Sequence, residues 1–281
     1  MSGIRELSLR RGAERLAAAG IDSARLDARV LLAHAMDLSP GEAAFAREPS
    51  LEEIGRYDML LGRRAAREPV AYITGEREFW SLSFAVGPGV LIPRPETETL
   101  LEEAGRLFPD HDQALEVLDL GTGSGAILIA FLRDYPNAKG TGVDRSEAAL
   151  LWARRNAEQL GVVNRSTWNS GVWDAGAGRT YDLIFSNPPY LALDEAEGLA
   201  PEIALHEPPE ALLAGPDGLE AYRAIAPIAA ATLRSGGRLL VEVGAGQAEA
   251  VTGILRAQGL EIMGVRPDLA GIPRVVAAVR A

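Results

Sequence analysis

The stretch from Glu116 to Leu132, EVLDLGTGSGAILIAFL, limits the fold of this 281-residue chain more than any other. Residues of buried-strand character lead without a break into a loop with glycine at 121, 123 and 125, and the loop opens into an apolar helix. Alternate glycines weaken local structure unless the backbone must turn tightly or approach another group without Cβ collisions. A strand that feeds a helix N-terminus through such a loop is the first βα unit of a sheet that presents unpaired N–H groups to a ligand.

The chain beyond residue 96 repeats the alternation. Strands are predicted at Glu116–Leu120, Lys139–Asp144, Arg165–Asn169, Tyr181–Ser186, Arg238–Val243, Glu261–Arg266 and Arg274–Arg280, with helices between the early ones. This pattern predicts an α/β fold, a seven-stranded doubly wound sheet whose ligands lie beyond the carboxyl ends of the strands. The last two strands are joined by only PDLAGIP, too short for a crossover helix, so the last strand is expected antiparallel.

Upstream, residues 4–75 read as a small helical bundle with Ser8, Ser23, Ser39 before Pro40, and Ser50 as capping residues, the last with Glu53 as a capping box. Leu26, Val30, Leu31 and His34 recur at helical spacing and are expected to face inward. From Glu78 to Pro95 the period changes: Phe79, Leu82, Phe84 and Val86 suggest a β-hairpin that turns at Gly87-Pro88-Gly89. The expected division is a helical domain over 1–77, a hairpin connector over 78–95 and a second domain over 96–281.

Hydrophobic residues at 47% and charged residues at 24% place the chain among folded globular proteins. No apolar run reaches the roughly 18–20 residues that span a bilayer, and the N-terminus lacks a signal-peptide block, so no membrane association and cytoplasmic residence are expected. Without cysteine there is no disulfide or thiolate chemistry. His34, His111 and His206 show no metal-ligand spacing, so no metal is expected. Residues 1–90 hold 12 basic and 13 acidic side chains, which leaves 16 and 26, net −10, for 91–281. Tight nucleic-acid binding, driven by Lys and Arg on phosphates, is not expected of that acidic part. Arg63, Arg64 and Arg67 form a basic cluster that either solvates a helix or meets an acidic partner.

The glycine loop alone leaves two cofactors open. Gly121, Gly123 and Ala126 satisfy the dinucleotide fingerprint, and Asp144, about 20 residues on at a strand end, would accept ribose hydroxyls in either case. Asp119 favours a cationic ligand over a pyrophosphate, and DLGTGSG resembles motif I of class I methyltransferases. The tetrapeptide Asn187-Pro188-Pro189-Tyr190 follows the fourth strand, and its prolines fix φ and stiffen the segment. Asn187 would accept one N–H of a planar NH₂ through its side-chain oxygen and Pro188 the other through its carbonyl, with Tyr190 as an aromatic wall. Such acceptors aim a weakly nucleophilic amide or amino nitrogen at a methyl donor.

Across nearly the whole chain the sequence resembles the release-factor glutamine methyltransferases, the PrmC/HemK family. The matching stretches are PVAYITGEREFWSLSFAVGPGVLIPRPETETL, DLGTGSGAI, VDRSEAAL, SNPPY and LHEPPEALLAGPDGLEAYRAI. The resemblance implies an enzyme that carries a methyl group from S-adenosylmethionine, leaving S-adenosylhomocysteine, to the glutamine of the Gly-Gly-Gln motif of peptide chain release factors. It implies that the N-terminal helical domain docks the release factor, that the protein works as a monomer, and that Asp119, Gly121, Thr122, Gly123, Ser124, Gly125, Asp144, Val172 and Asn187 hold the cofactor. Some relatives place an aromatic residue at Val172, which makes Trp173 beside it the alternative. For the substrate it implies Asn187, Pro188, Pro189, Tyr190, Phe79, Arg94 and Glu207, with Glu242 also at a family position. A glutamine methyltransferase acting on a ribosomal protein, a nucleic-acid amino-group methyltransferase, a nicotinamide-dependent oxidoreductase and a non-catalytic cofactor-binding module remain alternatives at this point.

Overall fold

The computed structural model describes residues 3–43, 45–173 and 178–281. The chain forms two compact units, one of residues up to Glu76 together with Ala200–His206, the other of Arg77–Leu199 and Glu207–Ala281.

The first unit holds α1 (Ile4–Ala18), α2 (Ala24–Ala35), α3 (Pro40–Ala43), α4 (Leu51–Ala65) and α5 (Val70–Thr74). Ser50 and Glu53 cap α4 reciprocally, and Arg47 grips the same Glu53 carboxylate, which holds its pKa down at about 2. Ser39 and Glu42 make a similar exchange at α3. Ser8 caps nothing, because α1 begins four residues before it, and the Ser23 hydroxyl donates to Asp27 rather than to a helix amide. The buried face of α2 is Ala24, Asp27, Ala28, Leu31, Leu32 and Ala35, whereas Leu26 is exposed. The helix is set by a rotation that buries Asp27, because this carboxylate has a buried partner in Arg64 at 2.7 Å.

A later segment completes this unit. Its helix α9 (Pro201–His206) supplies Glu202, which lies 2.9 Å from Arg64 and 3.2 Å from Arg67. Arg63 pairs with Glu68. The basic cluster is therefore tied to internal partners, and neither a freely solvated face nor a free acidic-partner site describes it.

The second unit begins within β1 (Glu76–Phe79) and continues with β2 (Leu82–Ala85), then α6 (Glu98–Leu107), β3 (Glu116–Leu120), α7 (Ala126–Asp134), β4 (Lys139–Asp144), α8 (Glu147–Gln159), β5 (Ser166–Ser170) and β6 (Tyr181–Ser186). After α9 come α10 (Glu220–Thr232), β7 (Leu233–Glu242), α11 (Ala248–Ala257), β8 (Leu260–Pro267) and β9 (Pro273–Arg280). The hairpin turns at Trp80-Ser81, not at Gly87-Pro88-Gly89. Both turn residues have positive φ, 52° and 58°, the twist that a two-residue hairpin loop requires. Non-glycine residues are disfavoured there, and Trp80 offsets the strain by donating its main-chain N–H to Glu98 and its indole N–H to Asp134.

The large sheet runs β5-β4-β3-β6-β7-β9-β8, parallel except for β9, which is antiparallel to both neighbours. Alternate residues serve opposite layers. Val117, Leu183 and Phe185 join α6, α7 and the hairpin, while Leu118, Ile184 and Val241 join α10 and α11. The chain leaves β3 for β4 and β5 on one side and returns at β6 on the other, so the switch point falls between β3 and β6. There Leu120 pairs with Val143 on β4 and with Ser186 on β6, and the Ser186 hydroxyl donates to the Leu120 carbonyl. The register therefore brings Gly121, Asp144 and Asn187 to one edge.

Candidate active site at the carboxyl ends of the central strands

A cavity of about 460 Å³ opens at that edge, lined by Phe79, the connector around Arg94, the glycine loop, Asp144, Val172, Trp173, Asn187 and Pro189, and closed by residues between Pro208 and Ala224. The glycine loop adopts left-handed φ at Gly121 (74°), Gly123 (55°) and Gly125 (79°). Its three glycines serve different needs. A Cβ on Gly125 would fall 2.8 Å from Ile129 and 2.9 Å from Trp168, so this position is forced by helix packing. At Gly123 the nearest atom is 3.9 Å away, so conformation and open access decide there. The Gly121 and Thr122 amides both donate to the Val143 carbonyl and tie the loop to β4.

Asp144 accepts the Gly123 amide on Oδ2 at 2.8 Å and the Ser146 amide on Oδ1 at 2.9 Å. Burial raises its pKa against these bonds, and each oxygen keeps a further lone pair. Asp119 lies behind the loop, fully buried, outside the cavity lining. Its Oδ2 accepts the Thr122 hydroxyl at 2.6 Å, while Oδ1 has no hydrogen bond. Burial pushes this carboxyl up to about 7, with the Thr122 hydroxyl pulling down and the Asp144 charge adding to the rise.

A pH dependence follows. The folded protein keeps a proton on Asp119 that the unfolded chain releases at about pH 4. The resulting stability is present below that pH and is lost as pH rises through about 7. Relative to an Asp119→Asn variant, the wild type should lose on the order of 3 kcal/mol between pH 4 and 8 in denaturant titrations. A difference that stays flat with pH would show that the carboxyl is ionised throughout.

Val172 and Trp173 both line the cavity, Val172 exposed and Trp173 with its ring edge 3.4 Å from where a Gly121 Cβ would stand. The rest of the SGVWDAG motif runs into residues outside those described. Asn187 and Pro189 face the cavity, whereas Pro188 is buried and outside its lining. Tyr190 does not form the expected wall. Its amide donates to Leu212, its carbonyl accepts Gln247, and its ring packs with α10 and α11. Arg94 lines the cavity and donates to Glu207 at 2.5 Å, and Glu207 also accepts the Ile92 amide, so Glu207 holds the connector and lies outside the lining. Glu242, at the end of β7, is buried, and burial pushes its carboxyl up to about 7.

Two further residues had no signal in the sequence. Asn156, on α8, binds Ala85 through both its main-chain groups and the Ser124 carbonyl, joining the hairpin to the glycine loop. Thr97, buried, accepts the Asn187 side-chain amide at 3.0 Å. No group of three His, Asp or Glu that could hold a metal occurs among the described residues, and none of the helices there is long and apolar enough to cross a membrane.

A family model described as the PrmC N-terminal domain matches residues 8–75, and one described as a methyltransferase small domain matches 97–217. A release factor glutamine methyltransferase of Cereibacter sphaeroides is 49% identical over 273 residues, 96% of each chain. One of Caulobacter vibrioides is 43% identical over 270 residues, 95% of this chain and 93% of the relative. Among solved structures, the Thermus thermophilus 16S rRNA N2 G1207 methyltransferase in complex with AdoMet and guanosine shares the fold at a TM-score of 0.52 and 21% identity, over 73% of this chain and 50% of that one. A human methyltransferase 10 domain containing protein does so at 0.51 and 16%, over 72% and 91%. With its two units, its strand order and near full-length identity to these enzymes, the chain belongs to the release factor glutamine methyltransferase family.

Proposed function

We propose that the protein transfers a methyl group from S-adenosylmethionine to the side-chain amide nitrogen of the glutamine in the Gly-Gly-Gln motif of peptide chain release factors. One observation carries the reading: Asn187 reaches the cavity beside the glycine loop with its NH₂ already bound to Thr97, which leaves its oxygen as a free acceptor. The cavity suits the cofactor. Gly121 and Gly123 leave room for close approach, Asp144 keeps unshared lone pairs for ribose hydroxyls, and Asp119, outside the lining, braces the loop from behind through the Thr122 hydroxyl. Gly121–Gly125, Asp144 and Val172 or Trp173 would hold it, and the bound group supplies an electrophilic methyl on a sulfonium.

The chain's own residues do the positioning. An amide nitrogen is a poor nucleophile because its lone pair is delocalised, so the gain must come from orientation and from acceptors that favour developing positive charge. Asn187 accepts one N–H through Oδ1, and the main-chain carbonyl of Pro188, whose residue stands outside the cavity lining, is the acceptor proposed for the other. Pro189 and Phe79 bound the flat group from the cavity wall. No prior deprotonation is needed, since the nitrogen becomes acidic only as the bond forms and then loses its proton to water. The helical unit docks the release factor, and the protein acts as a monomer in the cytoplasm without tight nucleic-acid binding. A nucleic-acid substrate is disfavoured by the net −10 of residues 91–281.

Incubation with radiolabelled S-adenosylmethionine and unmodified release factor should label the tip glutamine and leave a factor with that glutamine replaced unlabelled. Absence of label at saturating concentrations, or equal label on the altered factor, would remove the assignment.

A further inference from the structure

The Asn187 side chain is useful in one of its two amide orientations. With oxygen toward the cavity it accepts from an incoming NH₂, and with nitrogen there it opposes donor to donor. The two have nearly the same shape, so packing alone does not choose between them. The choice must come from what the other end of the amide meets.

That end meets Thr97, the last residue of the 3-10 turn Pro95–Thr97, 4% exposed, with Oγ1 at 3.0 Å from Nδ2. A hydroxyl can give or take a proton, so Thr97 by itself would tolerate either orientation. Its position before α6 does not use the hydroxyl either, because the side chain makes no capping bond. The next group along is decisive. Glu242 is 1% exposed, its Oε2 has no hydrogen bond, and the Thr97 hydroxyl is the first group to favour its charged form against burial. A hydroxyl that favours the charged carboxylate does so by donating, so the Thr97 proton points to Glu242 and its lone pair is left for an N–H. The amide of Asn187 is then read in one direction only: Nδ2 to Thr97 and Oδ1 to the cavity.

We infer that Thr97, oriented by the buried acidic side chain of Glu242, is a positioning residue that locks the Asn187 amide with its oxygen toward the substrate nitrogen. This rests on Asn187 serving as the acceptor in the proposed reaction. Thr97 also borders the cavity, so its test must separate aim from binding.

The experiment compares wild type, Asn187→Ala, Thr97→Val and Thr97→Ser as full-length proteins, by steady-state methyl transfer to release factor and by calorimetric binding of S-adenosylhomocysteine. Valine keeps the shape of threonine and removes the hydroxyl, whereas serine keeps the hydroxyl. Thr97→Val should lower kcat by about 10- to 100-fold, the size of effect that slight misplacement produces, with product affinity within about twofold of wild type on the same reasoning. Thr97→Ser should recover most of the loss. If Thr97→Val stays within twofold of wild type while Asn187→Ala is inactive, the lock is wrong and the role of Asn187 stands. If Asn187→Ala is itself active, the underlying reading fails. A valine variant that loses product affinity as much as rate, or a serine variant no better than valine, would make Thr97 a structural residue and overturn the inference.

Discussion

Replacing Asn187 with alanine should lower methyl transfer by about 10²- to 10³-fold while leaving most of the affinity for S-adenosylhomocysteine in place. Removal of one preorganised group that stabilises developing charge has this cost in other enzymes. The side chain stands at the end of β6, where Leu120 and Ser186 pair, and it reaches the cavity from the strand beside the glycine loop. Its backbone is braced independently, since Ser186 binds Leu120 and the Tyr190 carbonyl accepts Gln247. Truncation should therefore leave the strand end in place and act on the reacting geometry. In steady-state assays kcat should fall far more than release-factor KM rises, the signature of an interaction made mainly in the transition state. A loss of cofactor affinity as large as the loss of rate would assign Asn187 to cofactor binding instead.

The second large effect belongs to the helical unit. Arg64→Met should destabilise it by about 3–5 kcal/mol, the cost of leaving a buried charge unpaired. Arg64 is buried, with Nε 2.7 Å from Asp27 and Nη2 2.9 Å from Glu202, and it also donates to the Glu68 carbonyl. Without it Asp27 keeps only the Ser23 hydroxyl. Denaturant unfolding should show the loss in the transition of this unit. The double variant Arg64→Met/Asp27→Leu should regain most of it, because an apolar pair of similar volume removes both desolvation penalties. A single-variant loss under about 1 kcal/mol, the value of an exposed pair, would show that water reaches the site.

Buried parallel strands were the most legible elements. Glu116–Leu120, Lys139–Asp144 and Tyr181–Ser186 have the same bounds in sequence and structure; the first and last read as apolar runs with sharp ends, as strands covered on both faces do, whereas KGTGVD is marked by its acidic end ahead of a helix. The exposed edge was less clear: β5 starts one residue later than predicted. β7 starts five residues earlier, at Leu233, where Ser235, Gly236 and Gly237 suggest a turn but form an irregularity within the strand. The hairpin turn was misplaced because Trp80-Ser81 carries no glycine or asparagine to mark its positive φ. Its strain is offset by Glu98 and Asp134, which lie 18 and 54 residues away. The allegiance of Ala200–His206 was likewise hidden, since it rests on Glu202 meeting Arg64 across 138 residues.

What the sequence determined by itself was the order of motifs and the chemistry each could do: a glycine loop, an acidic strand end, then an asparagine ahead of two prolines. These are local, set by φ restriction, periodicity and side-chain type within a few residues. The tertiary structure alone decided that Tyr190 turns to α10 and α11, that Glu207 ties down the connector, and that Thr97 takes the nitrogen of Asn187. Hydrogen-bond direction depends on which donors and acceptors meet, and the Gln247–Tyr190, Asn187–Thr97 and Arg94–Glu207 pairs lie 57, 90 and 113 residues apart in the chain. No short window contains both partners.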